Sequence, residues 1–297
     1  MSEAPGGVHE MYDALAWYVQ VENWRARGSR FADFSLHKSL HVDASSDPFA
    51  ATRHVNELLL RHGGLPPSPR VLDAGCGFGG TIFHLQSKLG GHYDGITLSR
   101  PQQRAAQTQA RRRGIEGACR FHLRSYDAPI AERYDAVLAV ESLSHAPELR
   151  ATVANLASAL APGGRMLLVE DMAAQDIEES HPSEAGLLRE HWGCRPFPSV
   201  AHYEAALASA GLSIVRWLDL TPRVRYRGLE ALDRAQRRYA ALHHRIPIPM
   251  VRRVLSAYLG GIALERLYAL GIARYSLIVA SREAPACQDY SGPAIPG

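Results

Sequence analysis

Cysteine is scarce: the 297 residues hold four, Cys76, Cys119, Cys194 and Cys287, and none forms a CxxC pair. That spacing excludes a disulfide framework and a cysteine zinc site, and it fits reduced thiols in a cytosolic chain. Charge of one sign is lacking too. Lys and Arg total 33 against 30 Asp and Glu, a net charge of +3. So small an excess gives nucleic-acid binding little electrostatic support, while an acidic small molecule stays open. No apolar run approaches the roughly 18 residues that a membrane helix needs. The opening MSEAPGGVHE is polar and has no apolar signal core. The expectation is a soluble cytoplasmic protein with no integral membrane segment, no nucleic-acid partner and a small-molecule substrate. A homo-oligomer stays open. No internal repeat or low-complexity tract interrupts an ordinary globular composition, 46% hydrophobic and 21% charged. The length suits one large domain or two modest ones.

What is present is alternation. Aromatics at helical spacing in residues 11–27 suggest an amphipathic helix. A second helix is expected over 48–62, with Asp47 as its cap and Pro48 in its first turn. Strands then alternate with helices: strand 70–73, helix 80–89, strand 92–97, helix 101–113 capped by Ser99, and strands 119–123 and 134–140. Helix 148–160, strand 165–170, helix 199–210 and strand 212–219 follow. A mostly helical stretch from 227 to 270, broken by IPIP at 246–249, leads to a last strand at 275–281. This order implies a parallel sheet with helices on both faces. The termini are rich in Pro, Gly and Ser, as frayed ends are.

One stretch spends glycine heavily. VLDAGCGFGG, residues 71–80, places Gly75, Gly77, Gly79 and Gly80 directly after a strand-like run. Glycine in an ordered element costs about 1 kcal/mol relative to alanine. A strand that ends in glycines and turns into a helix lets a ligand lie against the main chain. A nucleotide dehydrogenase would share a bare GxGxxG pattern.

The segments together resemble the class I S-adenosylmethionine-dependent methyltransferases. VLDAGCGFGG looks like that family's first motif; DGITLSRPQ, FHLRSYDAP, YDAVLAVESLSHAPE and LAPGGRMLLVED follow in the family's order. The resemblance is strong over 48–171 and weaker to 283. It implies a doubly wound, Rossmann-like α/β fold with a seven-stranded, mostly parallel sheet. An N-terminal helical lid (1–47) would precede the methyltransferase domain (48–283), which carries a helical insert (221–271) before the last strand; 284–297 would form a flexible tail. It also implies S-adenosyl-L-methionine as cofactor, with Asp73 orienting the glycine loop and Gly75, Gly77 and Gly79 facing the cofactor. Many members end the second strand with an acid that binds the ribose. Here that strand ends Thr97-Leu98-Ser99, which is similar to the subgroup of cyclopropane-forming, tocopherol and sterol methyltransferases. Thr97, Leu98 and Gln102 would then take over the ribose and adenine contacts, since an amide satisfies a diol without charge. Ser125 and Tyr126 stand where the family places its adenine contacts; Asp127 could cap the adjacent turn instead.

The stretch VESLSHAPE, 140–148, is similar to the junction between cofactor and substrate in sterol, tocopherol and prenyl-diphosphate C-methyltransferases. Its catalytic candidates are Glu141 and His145, which a helix would align. If an alkene attacks the sulfonium methyl, a carbocation forms, and a carboxylate beside it both stabilises it and takes the proton. Substrate-binding candidates are Tyr18, Phe34, His41 and Trp192, with Arg223, Arg225 and Tyr226 from the basic start of the insert, where an arginine would meet an anionic group such as a diphosphate. His37 and His41 lack a convincing third ligand, so no metal site is expected, though Mg2+ stays open if the acceptor is a diphosphate. The leading expectation is C-methylation of an isoprenoid alkene with Glu141 as base. The alternatives are O- or N-methylation of a natural product or lipid, and a cofactor-binding, methyltransferase-like cyclase.

Overall fold

The computed structural model describes residues 10–17, 37–41, 48–194 and 196–282. Seven strands make one sheet: β1 (Arg70–Ala74), β2 (His92–Thr97), β3 (Cys119–Leu123), β4 (Tyr134–Val140), β5 (Leu160–Ala173), β6 (Ser213–Asp219) and β7 (Ala273–Ser281). Their order is β3-β2-β1-β4-β5-β7-β6. The first five are parallel to one another, and β7 runs antiparallel to both β5 and β6.

The central strands are apolar on both faces because helices cover both. Successive side chains alternate. On β4, Ala136, Leu138 and Val140 join the core on one face, with Leu167 and Val169 of β5 and Leu277 and Val279 of β7. Val137 and Ala139 join the other, with Met166 and Leu168. Around the sheet lie α1 (described over 10–17), α2 (Pro48–His62), α3 (Gly80–Leu89), α4 (Arg100–Arg112), α5 (Leu149–Ser158), α6 (Pro182–Trp192), α7 (Val200–Ser209), α8 (Leu229–Arg245) and α9 (Pro249–Ala269).

The expected alternation is present, and Ser99 caps α4 by accepting the Gln102 backbone N–H. Two places differ by more than a residue or two, and the insert breaks where IPIP predicts. β5 starts at Leu160 rather than Arg165, because Tyr134 pairs with Leu160 before an irregularity restores pairing at Arg165. The helix α6 lies in a stretch where no element was expected. The insert is two helices, α8 and α9, parted at Ile246–Ile248 by the prolines Pro247 and Pro249. The expected cap Asp47, most of helix 11–27 and the tail 284–297 lie outside the described residues.

Candidate active site

Strand order reverses between β1 and β4, and ligands of open α/β sheets bind at the carboxyl ends of strands beside such a switch point. A cavity of about 580 Å³ opens there, lined by the loop after β1, the ends of β2 and β4, α1 and α9. That volume lies within the roughly 300–1,000 Å³ of small-molecule sites.

The glycines divide by role. Gly77, at φ 53°, looks into open space: a Cβ there would meet nothing within 4 Å, and the residue lines the cavity. At Gly75 a Cβ would stand 2.4 Å from the Ser142 Cβ. At Gly79 it would stand 2.8 Å from the Phe121 ring. Ligand volume therefore explains Gly77, whereas close packing explains Gly75 and Gly79. Gly75 still lines the cavity; Gly79 and Asp73 do not. Asp73 is buried in β1, and burial raises its pKa to about 7.

At the end of β2 the Thr97 hydroxyl donates to Gln102 Oε1 across 2.8 Å. That bond occupies the amide oxygen, so the Gln102 NH₂ is left to donate. Thr97, Leu98 and Gln102 all line the cavity, as do Ser125 and Tyr126. Asp127 holds this last loop in shape. It accepts from Ser125 Oγ at 3.0 Å and from Thr152 Oγ1 at 2.5 Å, while Asn155 Nδ2 donates to the Tyr126 carbonyl at 2.6 Å. Tyr126 OH donates to the Ser142 carbonyl at 3.1 Å.

Past β4 the chain does not continue as a helix, so spacing does not align Glu141 with His145. Glu141 takes the left-handed conformation at φ 51°, costly for a residue with a Cβ, and His145 ends a short helical turn over Leu143–His145. Glu141 Oε1 accepts from the Lys38 backbone N–H at 2.7 Å and from Tyr275 OH at 2.6 Å. His145 Nδ1 pairs with the Trp192 carbonyl at 2.8 Å. A carbonyl only accepts, so Nδ1 carries the hydrogen and Nε2 carries the lone pair. Nε2 has no hydrogen-bond partner among the described residues. Burial lowers the imidazole's pKa to about 4, which keeps the ring neutral. The rings of Tyr12 and Trp192 stand 5.5 and 6.2 Å from it, centroid to centroid.

Several groups at the site carry no sequence signal, because partners far along the chain define them. Glu170 is fully buried; its Oε1 accepts the backbone N–H of Ser142 and of Leu143, each at 3.0 Å, and its Oε2 has no partner. Burial pushes its pKa well above the carboxylate range. Residues 37–41 cross the site as a strap. Lys38 Nζ lies 3.3 Å from Asp171 Oδ1, which also accepts Tyr268 OH. Leu40 bridges to Val224. Thr81 donates to Asn56 at 3.0 Å, so its oxygen accepts from His37 Nε2 at 2.6 Å. That leaves Nδ1 as the lone-pair nitrogen of a second cavity-lining histidine.

Glu141, His145 and Trp192 line the cavity, whereas His41, Arg223, Arg225 and Tyr226 do not. His41 is tied by its backbone N–H to the Arg223 carbonyl at 2.9 Å. Tyr226 stacks on Tyr268 and is 48% exposed. The start of the insert thus turns outward, and the arginine that reaches the cavity is Arg227. Tyr18 and Phe34 lie outside the described residues. Among the described residues no group of three or more His, Cys, Asp or Glu could hold a metal ion, and no helix is long and apolar enough to cross a membrane.

Residues 72–166 match the methyltransferase domain family, and the sheet order with the Gly77 opening at its switch point agrees with an S-adenosylmethionine-dependent methyltransferase. Its relatives are of several kinds. The methyltransferase GfsG of Streptomyces halstedii is 27% identical over 198 residues, 65% of this chain and 71% of that protein. A probable tocopherol O-methyltransferase of Oryza sativa is 30% identical over 52% of this chain and 45% of its own length. The geranyl diphosphate 2-C-methyltransferase of Saccharopolyspora erythraea is 45% identical over 67 residues, 22% of this chain and 24% of that protein. The fold matches the [4+2]-cyclase SpnF at a TM-score of 0.71 and 20% identity, covering 94% of this chain and 96% of that one. It also matches geranyl diphosphate C-methyltransferase from Streptomyces coelicolor A3(2), solved with Mg2+, geranyl diphosphate and S-adenosyl-L-homocysteine. The TM-score there is 0.65 at 19% identity, over 89% of this chain and 98% of that one. The cofactor is S-adenosyl-L-methionine, and the residues present fit it: an open cradle at Gly77 and a free amide donor at Gln102.

Proposed function

We propose that the chain methylates a hydroxyl oxygen of a small, largely apolar acceptor, with His145 Nε2 receiving the hydroxyl proton. The observation that carries this reading is the bond from His145 Nδ1 to the Trp192 carbonyl, which commits one ring nitrogen and leaves the lone pair of the other in the cavity wall. When bound, the cofactor supplies an electrophilic methyl group on a sulfonium. Gly77, Thr97, Leu98, Gln102, Ser125 and Tyr126 would hold it. An alcohol attacks poorly while it keeps its proton, so a neutral imidazole within reach of that proton contributes about 10²–10⁴-fold. The buried, depressed pKa keeps His145 unprotonated at neutral pH. Tyr12, Trp192 and the α9 residues Tyr258 and Ile262 add apolar wall that excludes water. The O-methyltransferase names among the relatives support the same chemistry.

A second reading is C-methylation of an isoprenoid alkene with Glu141 as base. What favours it is Glu141 itself, held in a left-handed conformation at the end of β4 by two donors to Oε1, with no partner to Oε2 among the described residues. Such a carboxylate would stabilise positive charge on the acceptor carbon and then take its proton.

The test is a panel of paired alcohols, amines and alkenes with methyl-labelled cofactor. Label on oxygen that disappears in His145→Gln supports the first reading. Label on carbon, with full turnover in His145→Gln and loss in Glu141→Gln, replaces it with the second.

A further inference from the structure

We infer that this cavity takes an acceptor with no anionic group, and that Glu265 sets this preference by holding Arg227. The inference rests on the reading of the cavity as the acceptor site. Each described cation in or beside it already has protein partners. Arg227 reaches the cavity from the start of the insert, and Glu265 of α9 grips it on three sides. The Arg227 backbone N–H donates to Oε1 at 2.6 Å, Nε to both carboxylate oxygens at 3.0 Å, and Nη2 to Oε2 at 2.5 Å. A two-point guanidinium–carboxylate pair of this kind is the geometry an arginine would otherwise offer a phosphate. Arg124 donates to the carbonyls of Ala128 and Pro129, at 3.3 and 2.5 Å. Lys38, in the strap, faces Asp171. His37 and His145 are neutral, each with its pKa lowered to about 4 by burial.

The other carboxyl groups facing the space are those of Asp127, Glu141, Glu170 and Asp171. A diphosphate entering here would find Arg227 and Lys38 already paired with carboxylates and Arg124 committed to two carbonyls, and it would sit among carboxyl groups. It would have to pull Arg227 from Glu265, leaving that carboxylate unpaired. An alcohol or hydrocarbon chain meets neither cost. The sequence points to arginines at 223–227 as anion binders, but it does not show that a residue 38 positions on neutralises Arg227.

The experiment uses inorganic pyrophosphate as probe on the full chain, with and without Mg2+, by calorimetry. Glu265→Gln is isosteric and keeps an oxygen for the Arg227 backbone N–H. The wild-type chain is expected to bind pyrophosphate at least tenfold more weakly than Glu265→Gln, and Arg227→Gln/Glu265→Gln to lose that gain. Equal affinity in wild type and Glu265→Gln overturns the inference, as does a gain that survives loss of Arg227. S-adenosyl-L-homocysteine is titrated into the same samples: if it fails to bind the wild-type chain, the methyltransferase reading falls, and the pyrophosphate comparison is read separately.

Discussion

His145 donates from Nδ1 to the carbonyl of Trp192 across 2.8 Å, joining the turn after β4 to the end of α6, 47 residues away. This bond selects the ring's tautomer, as the partner of one imidazole nitrogen does in general. His145→Gln should therefore lower turnover at least a hundredfold while leaving the affinity for S-adenosyl-L-homocysteine within a few-fold. Steady-state kinetics and calorimetry on one preparation check it. A parallel fall in cofactor affinity would instead mark the histidine as a support of the loop.

Glu141 gives the opposing measurement. Gln at 141 keeps an Oε1 that can accept both the Lys38 backbone N–H and Tyr275 OH, so the strap should stay seated and the melting temperature should move little. If the acceptor is a hydroxyl, turnover in Glu141→Gln should stay within about tenfold of wild type. A loss of a hundredfold or more, with an unchanged melting temperature, would move the base from His145 to Glu141.

Local pattern revealed the frame of this protein and several residues that line the cavity. Helix α3 and strand β2 have the expected ends, because turn glycines, a cap and apolar runs act over a few residues. Thr97, Leu98 and Gln102 converge because they share one strand end and one helix turn. The acceptor side was legible only in part. Glu141 and His145 announce themselves through VESLSHAPE, but Glu141's partners, Lys38 and Tyr275, lie 103 and 134 positions away. Burial of Glu170 and pairing of Arg227 with Glu265 are likewise products of tertiary packing. α6 escaped notice because few of its residues, Ala185, Leu187, Leu188 and Trp192, are apolar.

Two glycines of the loop should fail differently. Alanine at Gly77 puts its methyl into open cavity, so S-adenosyl-L-homocysteine affinity should fall at least tenfold, with about 1 kcal/mol lost from stability to the left-handed backbone. Alanine at Gly79 pushes against Phe121 at 2.8 Å and Phe83 at 3.1 Å. There the main loss should be in stability, about 1–3 kcal/mol from overpacking plus the same backbone cost. Denaturant midpoints and calorimetry on both variants separate the two; an equal loss of affinity would mean that Gly77 does not face the ligand.

Asp73 makes stability depend on pH in the sense opposite to an ion-paired carboxylate. Burial raises its folded-state pKa from 3.8 to about 7. Between those values the folded chain holds a proton that the unfolded chain releases, so this group's contribution is full below about pH 4 and is lost as pH rises through 7. His37 and His145 act the other way: each folded-state pKa falls from 6.5 to about 4, so their contribution is full above 6.5 and is lost as pH falls toward 4. Asn at 73 removes the first effect and keeps the second. Urea midpoints at pH 5 and pH 8 should therefore show the Asp73→Asn variant gaining on wild type as pH rises, by a few kcal/mol for a shift of this size. Parallel pH profiles for the two proteins would mean that the carboxyl at 73 does not charge across this range.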